Sequence, residues 1–285
     1  MRRYYYILIA VLCVTACKAH NRKEDRDSLL KQNIVRNKVR FIKSYKYEYK
    51  SGALDSNTRS LANSEEYDQQ GNLITRLTYL AKDYEEYLPI DSTINVFDQS
   101  GNLLKSTEIK YEVLGDSKDS INRYVKVFKN VYVNNKITES HIYRDGVLQS
   151  KTKPEYTTDG KVSGYISYDK YGDFDFKYLT VYVNGEITGT KTLDQKDRIM
   201  GRSEIVKKDK HHTVTTSYKA NDAIFSVREF EMDDKGQVIK DKFKAGSFEI
   251  TNKFTYNDGG LVVSCTGYDA QNRPVLYTEM EIVKF

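Results

Sequence analysis

From residue 41 onward, hydrophobic and polar positions alternate along the chain. Tyr45, Tyr47 and Tyr49 are separated by charged residues, which is the period of two that predicts a half-buried β-strand. Similar runs recur to the end of the sequence, and long patterns at helical spacing are missing from this part of it. The alternation therefore predicts a single all-β domain over residues 39–285.

Turn signals divide the alternating runs. In six places a strand-like run is followed by Asp, Asn or Thr, and a glycine comes three residues later. Such an Asp or Asn can bond its own downstream backbone, and glycine accepts the positive φ of a hairpin loop built on a type I turn. The predicted turn glycines are Gly71, Gly101, Gly160, Gly172, Gly236 and Gly260. Asp197 and Asn272 take the place of the glycine in two further copies, and both residue types tolerate the left-handed region.

A second type of turn is shorter. The run VYVNNKIT at 131–138 returns as VYVNGEIT at 181–188, and both Asn-Asn and Asn-Gly suit a two-residue hairpin. Turns then follow one another at roughly 10–14 residues, which leaves strands of about eight residues. The spacing predicts a long antiparallel meander of about sixteen strands, arranged as an open extended sheet or an incompletely closed barrel.

The stretches YDQQGNL at 67–73 and FDQSGNL at 97–103 resemble the YD repeats of the RHS family. The resemblance covers these two units and about six degenerate ones between residues 65 and 275. It implies β-hairpin units that build an extended, spiralling sheet. Long members of the family form shells around toxins, but this chain is too short for a shell and shows no toxin or self-cleaving protease segment, so the cargo role does not transfer.

The amino terminus has the features of an export signal. Arg2 and Arg3 precede an apolar run that is too short to span a bilayer permanently. The segment Val14-Thr15-Ala16-Cys17 resembles the lipobox of bacterial lipoproteins, which implies removal of the signal peptide, residues 1–16, and acylation of Cys17. Several acyl chains on one residue anchor a protein firmly to a membrane. By the sorting pattern of such lipoproteins, Lys18 favours the outer membrane, and the leaflet stays open. An ordinary secretory signal is the alternative.

Residues 17–38 are predicted to be the lipidated cysteine and a polar tether. The stretch 18–32 is rich in Lys, Arg, Asp and Glu, a composition typical of solvated linkers. A short helix over 28–37 is also consistent with the sequence, because Leu29, Leu30 and Ile34 recur at helical spacing.

Charge and cysteine content narrow the classes of function. The net charge of +5 falls to +3 when Arg2 and Arg3 leave with the signal peptide, and basic and acidic residues are interspersed, which argues against a nucleic-acid partner. With Cys17 acylated, Cys265 is the one thiol expected in the mature chain, so no intramolecular disulfide is predicted.

Reactive constellations are not evident in the sequence. His211 and His212 are adjacent, and on a strand they would point to opposite faces and could not bind one metal together. Cys265 has no paired base nearby, and His141 lies in a strand-like run. The sequence therefore predicts no catalytic residue, no metal and no cofactor.

The function that fits these features is a membrane-anchored, non-enzymatic binding or scaffold lipoprotein of the Gram-negative envelope, with a protein or glycan partner. The chain contains 24 tyrosines, which suit strand packing and also contacts with sugars or peptides. One alternative is a carrier that holds an apolar ligand inside the sheet. Another is a glycan-acting hydrolase that uses two carboxylates.

Overall fold

A computed structural model describes residues 20–82, 86–113 and 121–285. Within these ranges the chain forms one α-helix, α1, at His20–Arg36, followed by eighteen β-strands. The strands in chain order are β1 Val39–Lys50, β2 Ala53–Tyr67, β3 Leu73–Lys82, β4 Glu86–Phe97, β5 Leu103–Val113, β6 Ile121–Val133, β7 Lys136–Arg144, β8 Val147–Tyr156, β9 Val162–Asp169, β10 Phe174–Val183, β11 Glu186–Leu193, β12 Ile199–Lys207, β13 His212–Lys219, β14 Ile224–Met232, β15 Val238–Ala245, β16 Phe248–Tyr256, β17 Val262–Tyr268 and β18 Pro274–Lys284.

The strands form one antiparallel sheet in which each strand pairs with the strands before and after it in the chain. β1 also pairs with β18, from Phe41 opposite Val283 to Tyr47 opposite Tyr277, so the sheet closes into a barrel. The predicted all-β antiparallel meander is confirmed. The predicted open or incompletely closed sheet is wrong, because the first and last strands satisfy each other's backbone groups and leave no free edge.

The number of strands is eighteen, not about sixteen. Some connections lack the Asp-x-x-Gly signal on which the lower number depends. In the β13–β14 turn, Asp222 takes the left-handed conformation at φ 60° where other turns of this kind have glycine. The β15–β16 turn consists of Gly246 and Ser247 between two alternating runs.

The wall of the barrel has two faces of different exposure. Residues that lie opposite each other in the register share a face, and neighbours along a strand point to opposite faces. On β11–β13, Thr190, Ser203 and Thr213 are buried, whereas Lys191 and Glu204 on the other face are exposed. The shielded face is the inner face, where the concave wall crowds the side chains, and the exposed face is the outer face.

The barrel has two rims. Even-numbered strands end at the rim where α1 leads into β1, which we call the helix rim, and odd-numbered strands end at the opposite, far rim. Because consecutive strands are antiparallel, the turns alternate between the two rims.

Helix α1 packs against the helix rim. Ile34 is 1% exposed and lies in a buried cluster with Val39, Ile42, Tyr67 and Leu261. The packed body of the protein therefore begins inside the helix rather than at residue 39. The helix also starts at His20, well before the predicted 28–37 segment, because Lys, Arg and Glu form helices readily even without an apolar stripe. No helix within the described ranges has the length and apolar character needed to span a bilayer.

Candidate functional site: the inner wall and the helix rim

The repeated Asp-x-x-Gly-Asn sequence builds a side-chain clamp in the turns. In the β2–β3 turn, the Asp68 carboxylate accepts hydrogen bonds from the backbone N–H and the side-chain amide of Asn72, each at 2.8 Å. Asp98 and Asn102 form the same pair in the β4–β5 turn. The Asn102 amide and the nearby backbone N–H groups lower the pKa of Asp98. These polar residues fix the turn, and they are not free for chemistry.

All six glycines of the turn pattern have φ between 75° and 91°, a region where side chains with a Cβ are strained. Two of them also contact α1. A Cβ on Gly71 would lie 2.9 Å from the Lys31 carbonyl oxygen, and a Cβ on Gly260 would lie 2.8 Å from Nδ2 of Asn33. At these two positions glycine allows the helix to approach the rim.

The helix is held to the β16–β17 turn by hydrogen bonds. Nδ2 of Asn33 donates to the carbonyl of Gly260 at 2.9 Å, and Nη2 of Arg36 donates to the carbonyl of Gly259 at 2.6 Å. On the other side, Nζ of Lys31 donates to Oδ1 of Asn72 at 2.5 Å. Sequence reasoning missed these contacts, because nothing in a polar stretch indicates which backbone carbonyls it will meet.

Four tyrosines at the helix rim point inward and bind the backbone of the wall. Each is the last or next-to-last residue of an even-numbered strand, and its hydroxyl donates to a carbonyl near the start of the preceding strand. The pairs are Tyr132 with Leu103 at 3.2 Å, Tyr156 with Ile137 at 2.7 Å, Tyr182 with Val162 at 2.8 Å and Tyr256 with Val238 at 2.8 Å. These tyrosines connect neighbouring strands at the rim, so their recurrence in the sequence has a structural cause.

The inner wall mixes aromatic rings with small hydroxyl groups. Tyr165 and Tyr178 stack with ring centroids 4.9 Å apart, and Phe176 meets Tyr165 edge to face. Further round the wall, the hydroxyls of Thr190 and Ser203 form a hydrogen bond of 2.7 Å. Such a lining can contact both the apolar faces and the hydroxyl groups of a ligand.

One inner ion pair was not anticipated from the sequence. Arg228 on β14 forms two hydrogen bonds with the Asp241 carboxylate on β15, at 2.9 Å and 2.6 Å, and lies over the ring of Phe230. Asp241 is buried, so the arginine compensates its charge. Only the register of β14 and β15 brings these two residues together.

Each of the histidines singled out in the sequence faces a different carboxylate. Nε2 of His141 is 2.6 Å from Glu139 on the outer face, and this histidine lowers the pKa of Glu139. His211 and His212 face different carboxylates, with Nε2 atoms 3.5 Å from Asp234 and 3.7 Å from Glu229. Across the described part of the chain, no group of three or more His, Cys, Asp or Glu side chains is arranged to hold a metal.

Cys265 lies on the inner face of β17 opposite Phe254 and Thr278. Burial, and to a smaller extent the charge of Asp241, raises the pKa of its thiol to about 11. The thiol is therefore protonated at neutral pH and is a poor nucleophile. Cys17 and residues 1–16 lie outside the described residues.

A shallow depression of about 270 Å³ lies on the outer face between β15, β16 and the β17–β18 turn. Two of its three lysines form ion pairs. Lys242 pairs with Glu249 at 3.0 Å, and Lys240 pairs with Glu231 at 2.6 Å. The third, Lys253, has its Nζ 4.7 Å from the centre of the Tyr268 ring.

The chain matches no protein-family profile and no curated protein. Solved structures similar to it include a porin-like protein from Bacteroides uniformis, with 9% identity, a TM-score of 0.47, and coverage of 87% of this chain and 97% of that chain. A porin-like protein from Bacteroides vulgatus has 10% identity, a TM-score of 0.29, and coverage of 87% and 99%. The Tc holotoxin pore of Photorhabdus luminescens has 10% identity, a TM-score of 0.25, and coverage of 82% and 14%. At these identities and scores, the likeness does not bear on what this chain does.

Proposed function

We propose that this protein is a lipid-anchored, non-enzymatic binding or scaffold protein of the Gram-negative envelope. The main support for this proposal is that the repeated residues have structural roles. The Asp, Asn and Gly of the turns hold backbone geometry, and the helix-rim tyrosines bind carbonyl groups of the wall. The parts of the molecule that remain available for a function are the extended surfaces on the two faces of the barrel.

The outer face supports a barrel that stands in water beside the membrane. It carries ion pairs such as Lys177 with Glu155 and Lys240 with Glu231. A lysine on a lipid-facing wall costs roughly 2–4 kcal/mol at the bilayer midplane, so a wall with many of them is unsuited to a lipid surrounding. Attachment to the membrane then depends on acylation of Cys17. Cys17 lies three positions before His20, the first described residue of α1.

The state of the candidate reactive groups supports a non-enzymatic role. The thiol of Cys265 is held in its protonated form, and His141 is engaged by Glu139. We therefore expect Cys265→Ser and His211→Ala, each expressed at wild-type level in a deletion strain, to preserve the phenotype. Loss of function from either substitution in a folded, anchored protein would contradict this part of the proposal.

The second candidate function is a carrier for an apolar ligand. The aromatic side chains of the inner wall, including Tyr165 and Phe176, favour it. The Arg228–Asp241 pair and the buried hydroxyl groups favour a ligand that also carries polar groups, such as a glycan or a peptide. Native mass spectrometry of the protein purified from its own membranes distinguishes the two, because a carrier retains a small apolar molecule.

The decisive experiment for the main proposal combines two readouts on a tagged protein in its natural host. Mass spectrometry of the amino-terminal peptide is expected to show a chain that starts at an acylated Cys17. Cross-linking in intact cells followed by purification is expected to recover a specific envelope partner with the wild type, and less of it with Cys17→Ser. An unmodified Cys17, or a start at another residue, would remove the lipoprotein assignment.

A further inference from the structure

The outer face of β3–β6 exposes several aliphatic side chains on neighbouring strands. Ile94 is 44%, Val96 48% and Val131 43% exposed. We call this surface the β3–β6 sector. Its described residues are Thr75, Leu77, Ser92, Ile94, Val96, Lys105, Thr107, Ile109, Tyr111, Arg123, Val125, Val127, Lys129 and Val131.

The charge of the sector is of one sign. Lys105 and Lys129 lie directly opposite each other in the register of β5 and β6, an arrangement of like charges that destabilises a sheet. Neither lysine forms an ion pair with a described residue, and Nζ of Lys129 lies 5.0 Å from the centre of the Tyr143 ring. Among the described residues of the sector no side chain is acidic. The surface is therefore apolar and basic, and its opposed lysines are uncompensated.

We propose that the β3–β6 sector docks onto the surface of an anionic lipid bilayer. Aliphatic side chains can enter the boundary between headgroups and acyl chains, while lysines pair with lipid phosphates. The like-charge pair that weakens the free barrel becomes favourable on such a surface. This inference rests on the lipid anchor of the proposed function, because the anchor is what holds the barrel beside a bilayer.

The position of α1 places the anchor near the sector. Lys31 bonds Asn72 in the β2–β3 turn, and its Nζ lies 4.0 Å from where a Cβ on Gly101 would be in the β4–β5 turn. From Lys31 back to Cys17, the reach of the chain is limited to about 16 Å of helix plus at most about 10 Å for the three residues before it. An acylated Cys17 therefore lies within about 26 Å of Lys31.

A second copy of the chain is a poorer occupant of this surface. In a two-fold symmetric dimer the same patch meets itself, so Lys105 and Lys129 of one copy would face those of the other with no described acidic residue of the sector between them. Phospholipid headgroups supply the negative charge that the surface lacks. An acidic protein partner would supply it too, but such an occupant predicts no preference for anionic vesicles.

Vesicle flotation tests the proposal. The mature chain, residues 17–285, carries Cys17→Ser and is made without the signal peptide, so that neither acyl chains nor the apolar leader contributes. It is mixed with vesicles of phosphatidylglycerol and phosphatidylethanolamine, or of phosphatidylcholine alone. We expect partition onto the anionic vesicles to exceed that onto neutral ones by about tenfold and to fall as salt is raised.

Charge-reversal variants locate the contact. Lys105→Glu with Lys129→Glu is expected to reduce partition onto anionic vesicles by about tenfold or more. The matched control, Lys191→Glu with Lys244→Glu, changes the net charge equally at exposed outer positions elsewhere and is expected to stay within about twofold of the wild type. Circular dichroism checks that each variant is folded. If the charge-reversal variant does not fold, Lys105→Gln with Lys129→Gln replaces it.

An apolar pair of variants completes the test. Val96→Thr with Val131→Thr keeps β-branched residues in the strands and is expected to weaken flotation. Val206→Thr with Val275→Thr, at exposed outer positions of β12 and β18, is the control. Equal loss in the sector and control variants, or no preference for anionic vesicles, overturns the proposal. A dimer in sedimentation that the sector variants dissolve would assign the surface to a second copy instead.

The two proposals fail separately. Flotation is measured without acyl chains, whereas the anchor is read from the mass of the native amino-terminal peptide. An acylated Cys17 with no vesicle binding would leave the lipoprotein assignment standing and overturn the docking surface. Sector-dependent flotation with an unmodified Cys17 would leave the docking surface standing and overturn the lipoprotein assignment.

Discussion

Tyrosines at strand ends occur at both rims of the barrel, but they face opposite sides of the wall at the two rims. At the helix rim, tyrosines at strand ends face inward, and the hydroxyl groups of four of them bind backbone carbonyls, as Tyr156 binds Ile137. At the far rim, tyrosines at strand ends face outward and lie beside cations. Tyr218 lies 3.9 Å from the guanidinium of Arg202, and Tyr268 lies 4.7 Å from Nζ of Lys253.

The chirality of the hairpin explains this difference. Turns of both rims share one hydrogen-bond pattern, seen at Asp68 on the helix rim and at Asp169 on the far rim. A given loop type fixes which face the pre-turn side chain takes relative to the direction of the next strand. Because the meander always proceeds the same way around the barrel, loops at opposite rims must present opposite faces inward. One repeated residue therefore has two environments.

The rims also differ in what covers them. The helix rim is buttressed by α1 and its buried cluster, whereas the far rim has turns such as that at Gly172, where a Cβ would meet no atom within 4 Å. Matched substitutions at the two rims are expected to have unequal effects, and these provide tests of the comparison.

The largest effect is expected for Gly260→Val. A valine there adopts a strained φ of 75° and drives its Cβ to within 2.8 Å of Asn33, so it should lower the free energy of unfolding by about 4 kcal/mol. Gly172→Val at the far rim bears only the φ strain and should cost about 1–2 kcal/mol. Urea unfolding of both variants measures the difference. Equal losses would show that the helix does not press on this turn.

Ile34→Ala should cost about 3 kcal/mol, because it empties a buried position between the helix and the wall. Ile224→Ala is the far-rim control. Ile224 is 62% exposed next to the β13–β14 turn, so its truncation should change the free energy of unfolding by less than about 0.5 kcal/mol. A small loss at Ile34, with the helix still visible by circular dichroism, would mean that α1 does not dock as described.

Tyr156→Phe should cost about 1 kcal/mol, because the carbonyl of Ile137 loses its side-chain donor. Tyr168→Phe, at the corresponding place on the far rim, keeps its ring beside Lys153 and should be close to neutral. Thermal unfolding of the two variants in parallel reports the difference. An unchanged thermal stability of Tyr156→Phe would show that this hydroxyl does not stabilise the rim.

Local features of this fold were predictable from the sequence, because their signals are local. Asp98 with Gly101 marks a turn, and alternation around Tyr47 marks a strand. Closure was not predictable. The contact between Tyr47 and Glu279 joins residues 232 positions apart, and nothing in either strand distinguishes a closing pair from two free edges.

Which side chains lie on the inner face and which on the outer face could also not be predicted from the sequence. From the sequence, the adjacency of His211 and His212 argues against one shared metal, and the lack of a nearby base argues against Cys265 as a nucleophile; both stay predictions. The division of tyrosines between the two rims depends on strand direction within a closed barrel. Likewise, Ile94 and Val96 are recognisable as outer residues only after the register shows which face is shielded.

Closure of the barrel is the central claim, and a cysteine pair tests it directly. Lys43 and Glu281 lie opposite each other on the outer face of β1 and β18. Partners in antiparallel strands have Cα atoms about 4.5–5.5 Å apart, within reach of a disulfide. In an open sheet of this length, the two edges would lie roughly 80 Å apart, at about 4.8 Å for each strand spacing.

The measurement is disulfide formation under a mild oxidant in a background with Cys17→Ser and Cys265→Ser. Ser264→Cys with Glu279→Cys, across the adjacent strands β17 and β18, is the positive control, and Lys43→Cys with Lys191→Cys is the negative control. A closed barrel predicts that Lys43→Cys with Glu281→Cys cross-links within one chain as efficiently as the positive control. Cross-linking no better than the negative control would contradict closure.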